Sequence, residues 1–297
     1  MTSKVIVIVG PTAVGKTELS LRIAQKYHTE IISGDSIAVY KGLDIGSAKP
    51  SLEEQKKIKH HLINILNPQE DYSVAEFQAQ ARSIIEALPI SIICGGTGLY
   101  IQAALFQYEF KAKKRNPSLE KQYASYTNEE LFSYLLSIDP MLDLNKIHPN
   151  NRKRVLRAIE VKKSQGSSIH SFQHKNEPLY DYFIVYLNME RDLLYQRIHE
   201  RVDTMIKQGL KEEVTALREA GIYPKGIGYK EWDAYFKGEA SLEDVIELIK
   251  KNTRHLAKRQ ETWFKNQMNT HMYMLNATNR QDIYLQIEND IERWLKK

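Results

Sequence analysis

Short apolar runs recur along the chain at Val5–Val9, Glu30–Ser33, His61–Ile65, Ile90–Cys94 and Phe183–Leu187, with MYMLNAT around Met272 as a candidate last one. They are too short for helices and mostly lack the alternation of a half-exposed strand, so they read as strands buried on both faces. Between them the spacing of apolar residues becomes helical, predicting helices over roughly residues 16–27, 73–87, 98–107, 190–208 and 241–266. In DYSVAEFQ, Ser73 stands three residues before Glu76, as a capping box requires at a helix start. The alternation predicts an α/β fold: a P-loop NTPase-like parallel sheet with helices on both faces.

The alternation fails between residues 111 and 181, where polar and helical stretches follow one another without strand-like runs. This predicts a core of residues 1–110 and 182–297 interrupted by a small helical insertion, 111–181, that ends in a flexible polar loop from Ser164 to Glu177. The net charge of +5 is concentrated there, with thirteen Lys or Arg against eight Asp or Glu in 111–181 and twenty-nine of each elsewhere. A neutral body with a basic appendage favours a large anionic partner over a small metabolite. Hydrophobic content of 42% and charged content of 27% are those of a globular protein. No apolar run approaches the roughly 18 residues of a membrane span, and MTSK runs straight into the first strand, so a cytoplasmic protein without a signal peptide is expected. The single cysteine, Cys94, excludes an internal disulfide and a cysteine-based zinc site, and its place in ISIIC reads as a buried small side chain.

The candidate chemistry begins at GPTAVGKT, residues 10–17, which matches G-x-x-x-x-G-K-[ST] between a predicted strand and a predicted helix. Gly10, Pro11, Thr12, Ala13, Val14 and Gly15 form a loop able to turn amides on adjacent phosphates, with Lys16 as a point charge and Thr17 as a hydroxyl ligand for Mg²⁺. The motif calls for a polyphosphate and leaves open which one. The second strand ends in SGDS, which sends Asp35 toward the same crevice, since ligands of such sheets lie beyond the C-terminal strand ends. Asp35 could bind Mg²⁺, cap a helix or act as a base. The fourth strand ends in CGGTG, whose glycines would admit a ligand to the backbone and whose Thr97 stands at a helix start as a hydroxyl or a cap. The adjacent His60 and His61 are not expected to chelate a metal, because neighbours on a strand point to opposite faces.

GPTAVGKT, SGDSIAVYKGLDIGSAKP, HHLINILNP, GGTGLYIQA, HPNNRKRVLRAIE, IGYKE and NTRHLAKRQETWF occur in this order and together resemble the tRNA dimethylallyltransferases, also called tRNA isopentenyltransferases. The likeness covers residues 5 to about 265 and is weak in 111–145 and in the last thirty residues. The lack of a cysteine-bearing zinc-finger tail is similar to the bacterial members. The resemblance implies transfer of a dimethylallyl group from dimethylallyl diphosphate to the exocyclic amine of adenosine 37 in tRNA, with the diphosphate held by the P-loop and by Arg201, preferred over Arg197. It also implies that Asp35 takes the amine proton, that Thr97 positions the amine, and that Lys16 with Mg²⁺ stabilises the leaving group. Asp35, Ser36, Ile37 and Ala38, with Gly226, Ile227, Gly228, Tyr229 and Lys230, would meet the flipped base and its neighbours. Lys153, Arg154, Val155, Leu156 and Arg157 would grip tRNA phosphates.

The basic face of the late helix, with Lys251, Arg254 and Lys258, is expected to line the tRNA channel. Two departures from the family pattern stand out: Ala38 occupies the place of a Gln in DSMQVY, and Glu120, beside Lys121, occupies a place where an Arg is usual. A monomer needing no protein partner is expected. The readings left beside this one are an adenylate isopentenyltransferase acting on free AMP, ADP or ATP, which would need no basic phosphate grip, and a P-loop kinase for a small metabolite.

Overall fold

The computed structural model describes residues 3–107, 117–169 and 177–297. In chain order it contains β1 (Lys4–Val9), α1 (Lys16–Tyr27), β2 (Ile31–Ser33), α2 (Leu52–Lys57), β3 (His60–His61), α3 (Val74–Glu86), β4 (Ile90–Cys94), α4 (Gly98–Leu105), α5 (Pro117–Gln122), α6 (Asn128–Ile138) and α7 (Arg152–Gln165). These are followed by β5 (Asp181–Met189), α8 (Arg191–Lys207), α9 (Leu210–Glu219), α10 (Asp233–Phe236), α11 (Leu242–Gln267), β6 (His271–Leu275) and α12 (Arg280–Leu295). The strands form one sheet in the order β3-β2-β4-β1-β5-β6. All pairings are parallel, as α/β alternation predicts.

Strand β1 shows why a parallel strand reads as an unbroken apolar run. Ile6 and Ile8 pack on one face with Leu19 and Ile23 of α1 and with Tyr284, Ile287 and Ile291 of α12. Val5, Val7 and Val9 pack on the other with Phe77, Ile101 and Phe264, from α3, α4 and α11. Each such side chain contributes roughly 1.5–3 kcal/mol through burial, and neither face has a place for a polar residue. The capping box at α3 forms, with Ser73 Oγ accepting from the Glu76 amide at 3.2 Å and Glu76 Oε2 from the Ser73 amide at 2.7 Å.

One expectation for the sheet is corrected, and one helix lies beyond those expected. The third strand is His60–His61 rather than His61–Ile65, because Leu62 and Asn64 adopt left-handed backbone at φ 60° and 56°, which no ladder continues. Helix α12 lies in the poorly matching C-terminal thirty residues and was not anticipated, although Tyr284, Ile287 and Ile291 sit at helical spacing. Its buried Glu288 pairs with Lys26 at 3.0 Å and with Arg22 on α1. Burial pushes the Glu288 carboxyl up, but Arg22 and Lys26 outweigh it and hold it below the usual carboxylate range. A group depressed in the folded state stabilises above its unfolded pKa, and that contribution is lost as pH falls through the folded value. Glu288→Gln is therefore expected to lower the melting temperature at neutral pH by a few degrees and to flatten its decline below about pH 4.5. An acid melting profile parallel to that of the parent protein would refute the assignment.

The chain divides into two compact units, residues 1–106 with 178–297, and residues 107–177. The expected boundary at residues 110 and 111 falls outside the described residues. The smaller unit has its own core of Leu131, Leu135, Ile147, Val155 and Ile159. Arg152 ties α7 to the preceding turn by donating to the carbonyls of Tyr123 and Tyr126, at 2.5 and 2.7 Å. Lys162 lies 3.4 Å from the fully buried Asp139. Of the loop expected over Ser164–Glu177, Ser164 and Gln165 belong to α7, Gly166 caps it at φ 72°, and residues 170–176 fall outside the described residues.

Candidate active site

The C-terminal ends of β1, β2 and β4 open into one cavity of about 1060 Å³ within the larger unit. The loop after β1 wraps around Lys16, whose Nζ donates to the carbonyls of Gly10 and Pro11 at 3.0 and 2.8 Å. Desolvation lowers the Lys16 ammonium to about 8, with Cys94 opposing that shift, Arg201 adding to it and Asp35 opposing it. Thr12, Ala13, Gly15, Lys16 and Thr17 line the cavity. Gly10, Pro11 and Val14 lie outside that lining. Val14 is fully buried in the core, Pro11 has no amide, and the carbonyls of Gly10 and Pro11 face Lys16. The Thr12 amide is also engaged, donating to Gln260 Oε1 at 2.8 Å. The amides of Ala13, Gly15, Lys16 and Thr17 have no partner among the described residues, so four residues lining the cavity keep a donor open to a polyphosphate.

The glycines of GGTG line the cavity and also make room for other parts of the protein. A Cβ on Gly95 would lie 2.3 Å from the Gly34 carbonyl oxygen, so the two strand ends touch backbone to backbone. Gly96 and Gly98 are likewise covered, by the Gln260 amide and the Trp263 ring. This contact brings Asp35 and Thr97 together: the Thr97 amide donates to Gly34 O at 3.2 Å, and the Gly34 amide to Cys94 O at 2.8 Å. Asp35 Oδ1 accepts from the amides of Ile37 and Ala38, at 2.7 and 3.2 Å. Its Oδ2 has no partner among the described residues. Thr97 stands at the N-cap of α4 but makes no capping bond with its side chain, so its hydroxyl is left to the cavity it lines.

More of the lining comes from residues 35–38, 46–50 and 226–228. The organiser of this part is Glu213 of α9, whose carboxylate accepts from the amides of Asp44, Ile45 and Gly46 at 2.8–3.1 Å and from the Tyr229 hydroxyl at 2.8 Å. Gly46 lies so close to Tyr229 that a Cβ there would be 2.6 Å from the ring. Of the expected base-contacting segment, Gly226, Ile227 and Gly228 line the cavity, whereas Tyr229 is buried beneath Gly46 and Lys230 is exposed outside the lining. Ala38 is buried and supplies only its amide to Asp35. Sequence reading missed Glu213, which looked like one of two acids in the first turn of a helix, where acids are common for dipole reasons.

Arg197 and Arg201 both line the cavity from one face of α8, one turn apart. Burial lowers the pKa of both. Arg201 feels Asp35 and acts on Lys16, whereas Arg197 faces Arg280, Tyr284 and Glu18. Helix α11 presents Ile249, Thr253, Leu256, Arg259, Gln260 and Trp263 to the cavity, and Lys251, Arg254 and Lys258 lie outside its lining. Arg254 instead meets His199 Nε2 at 2.5 Å. Cys94 is partly buried and packs against the core, as its place in ISIIC suggested, and it also belongs to the lining. His61 Nε2 pairs with Glu30 at 2.5 Å, and His60 Nδ1 with the Ile58 carbonyl at 2.8 Å.

In the smaller unit, Val155 and Leu156 are buried in the core and cannot touch a ligand, a correction to the expected phosphate grip. Lys153 and Arg154 are exposed, while Arg157 is paired with Glu160. Glu120, at the position where an Arg was looked for, is exposed on α5.

The donor set suits Mg²⁺. Thr17 places in the cavity a hydroxyl that makes no hydrogen bond among the described residues, and no cluster of three His, Cys, Asp or Glu side chains occurs among them. One hydroxyl beside phosphate oxygens is what a small hard cation with several retained waters requires, since Mg²⁺ is seldom caged by protein alone.

A family model described as IPP transferase matches residues 38–267, and one described as isopentenyl transferase matches residues 3–67. A tRNA dimethylallyltransferase of Bacillus pumilus is 47% identical over 89% of this chain and 87% of its own length. One of Alkaliphilus metalliredigens is 42% identical over 98% of each. Among solved structures, a tRNA delta(2)-isopentenylpyrophosphate transferase of Staphylococcus epidermidis is 42% identical, with TM-score 0.71 over 98% of this chain and 99% of its own. A eukaryotic dimethylallyltransferase described as acting on tRNA is 30% identical, with TM-score 0.83 over 98% of this chain and 80% of its own.

Proposed function

The chain belongs to the IPP transferase family, and from that membership and the cavity we propose that it transfers a dimethylallyl group from dimethylallyl diphosphate to N6 of adenosine 37 in tRNA. The observation that carries this reading is the Gly34–Gly95 backbone contact, which puts a carboxylate with one unclaimed oxygen and a free hydroxyl into the same cavity as the phosphate loop.

The chemistry follows from what these groups can do. The N6 amine is a weak nucleophile because its lone pair is delocalised into the ring. Asp35 Oδ2 accepts its proton as the N6–C1 bond forms, while Oδ1 stays anchored to two amides and fixes the direction of approach. Thr97 orients the amine. The C1–O bond breaks with its electron pair going to the diphosphate. That charge meets the amides of Ala13, Gly15, Lys16 and Thr17, the Lys16 ammonium and Arg201. Mg²⁺ held by Thr17 and the phosphate oxygens would add further neutralisation of the leaving group. An anticodon-loop base is stacked, so adenosine must flip out to enter the cavity. A cytoplasmic, monomeric enzyme suits such a substrate.

The deciding experiment supplies dimethylallyl diphosphate, labelled in the prenyl group, with tRNA or with AMP, and separately γ-labelled ATP. Label is expected on tRNA at adenosine 37; label on AMP, or phosphoryl transfer from ATP, would replace this reading. For the smaller unit, Lys153→Ala with Arg154→Ala is expected to raise the KM for tRNA. The slope of log affinity against log salt should become shallower by about 0.7–0.9 for each phosphate no longer neutralised. An unchanged slope would remove these residues from the tRNA interface.

A further inference from the structure

Gln260 joins the two loops on which the reacting partners are held. It stands near the C-terminal end of α11, in the RQETWF stretch, and faces the cavity. Its Oε1 accepts from the Thr12 amide at 2.8 Å, and its Nε2 donates to the Gly96 carbonyl at 3.1 Å. Thr12 belongs to the phosphate loop after β1, and Gly96 immediately precedes Thr97 after β4. At their bases the loops are joined by the sheet, where the Gly95 amide donates to Ile8 O at 3.2 Å. Beyond that point, among the described residues, no other hydrogen bond links residues 11–15 to residues 96–98.

The arrangement is specific to a carboxamide. One end of the bridge must accept from an N–H and the other must donate to a C=O, and of side chains this length only Gln offers both in a fixed plane. A Glu would set a carboxylate against the Gly96 carbonyl, and a Met would leave both backbone groups unpaired. Gly96 has no room for a Cβ beside this amide, with a clearance of 2.1 Å to Nε2, so the loop is shaped around the side chain.

We infer that Gln260 is a positioning residue for the transfer, setting the distance between the loop that grips the leaving group and the loop that carries Thr97. The carbon must pass from a diphosphate oxygen to N6 along one line, and a misplacement of about 1 Å in such a geometry costs about 10²-fold in rate. Gln260 touches neither reacting atom. It acts through the two backbones, and so belongs to the turnover step more than to the binding of either substrate. This inference rests on the transfer reading above.

Gln260→Met and Gln260→Glu test it, with the parent enzyme in the same prenyl-transfer assay. Both variants are expected to lower kcat by about 30-fold, while the KM for tRNA and the Kd for inorganic diphosphate stay within about threefold. Amide hydrogen exchange at Thr12 is expected to be about tenfold faster in Gln260→Met. Gln260→Met turning over within threefold of the parent, or keeping its Thr12 protection, would overturn the inference. So would a parallel loss of kcat, diphosphate affinity and melting temperature, which marks a merely structural strut. Failure of the parent enzyme to prenylate tRNA would instead refute the functional reading, and the exchange measurement would still report on the bridge.

Discussion

Asp35→Asn is expected to lower kcat by about 10² to 10⁴, the range for loss of a general base, while inorganic diphosphate binds within a few-fold of its parent affinity. Asn is the informative substitution because Asp35 has two functions on two oxygens. Oδ1 accepts from the amides of Ile37 and Ala38 and so shapes the turn that lines the cavity. An Asn carbonyl can keep both bonds, since these are local side-chain to backbone contacts that Asn makes as readily as Asp. What Asn cannot do is take a proton, because its second group is an NH₂. Asp35→Ala removes the base and the turn together, so it should be at least as inactive and should also bind tRNA less well. The readouts are single-turnover prenyl transfer for the chemistry and diphosphate titration for the site. Asp35→Asn turning over within threefold of the parent enzyme would remove Asp35 from the role of base.

Lys16→Met is expected to cost about 10²–10³ in kcat, the loss seen when one preorganised donor to a developing anion is deleted. Met keeps the length and apolar stem while removing the charge. The loss should fall on the transfer step, because diphosphate carries more charge as it departs than as an ester. Lys16 also donates to Gly10 O and Pro11 O, so the variant leaves two loop carbonyls without that partner. That adds about 1–3 kcal/mol of destabilisation for buried unpaired groups. The two effects separate on measurement: melting temperature reports the loop, and transfer with a saturated, folded enzyme reports the leaving group. A stable Lys16→Met enzyme with unchanged transfer would exclude Lys16 from leaving-group stabilisation.

Much of the fold was legible because it is written in local spacing. A strand buried on both faces must be apolar throughout, and β1, β4 and β5 appear within a residue or two of their apolar runs or extend them. Helix α3 was announced by Ser73 and Glu76, and α11 by its amphipathic period. Leu62 and Asn64 broke the expected third strand because a left-handed backbone leaves no mark in an apolar count. Helix α12 carried a readable spacing at Tyr284, Ile287 and Ile291, yet it lies where the family likeness is weak, and nothing chemical drew attention to it.

The site divides along the same line. GPTAVGKT, SGDS and GGTG named the strand ends, and their order along the chain was enough to suggest the reaction, because each motif is a few contiguous residues whose chemistry is intrinsic. The sequence by itself thereby determined the α/β alternation, the presence of a phosphate loop, and the candidate base and hydroxyl at Asp35 and Thr97. Tertiary structure alone decided which loop amides are already claimed by the protein, that the glycines of GGTG yield to Gly34, Gln260 and Trp263, that Val155, Leu156 and Tyr229 are core, and that Glu213 and Gln260 hold the walls. The Thr12–Gln260 bond spans 248 positions of the chain, and the Tyr229–Gly46 contact joins segments that sequence spacing does not relate. Periodicity reports which face of an element is apolar. It carries no information about which distant backbone group will stand opposite a given polar side chain, and it is that pairing which turns a phosphate loop and two strand ends into one site.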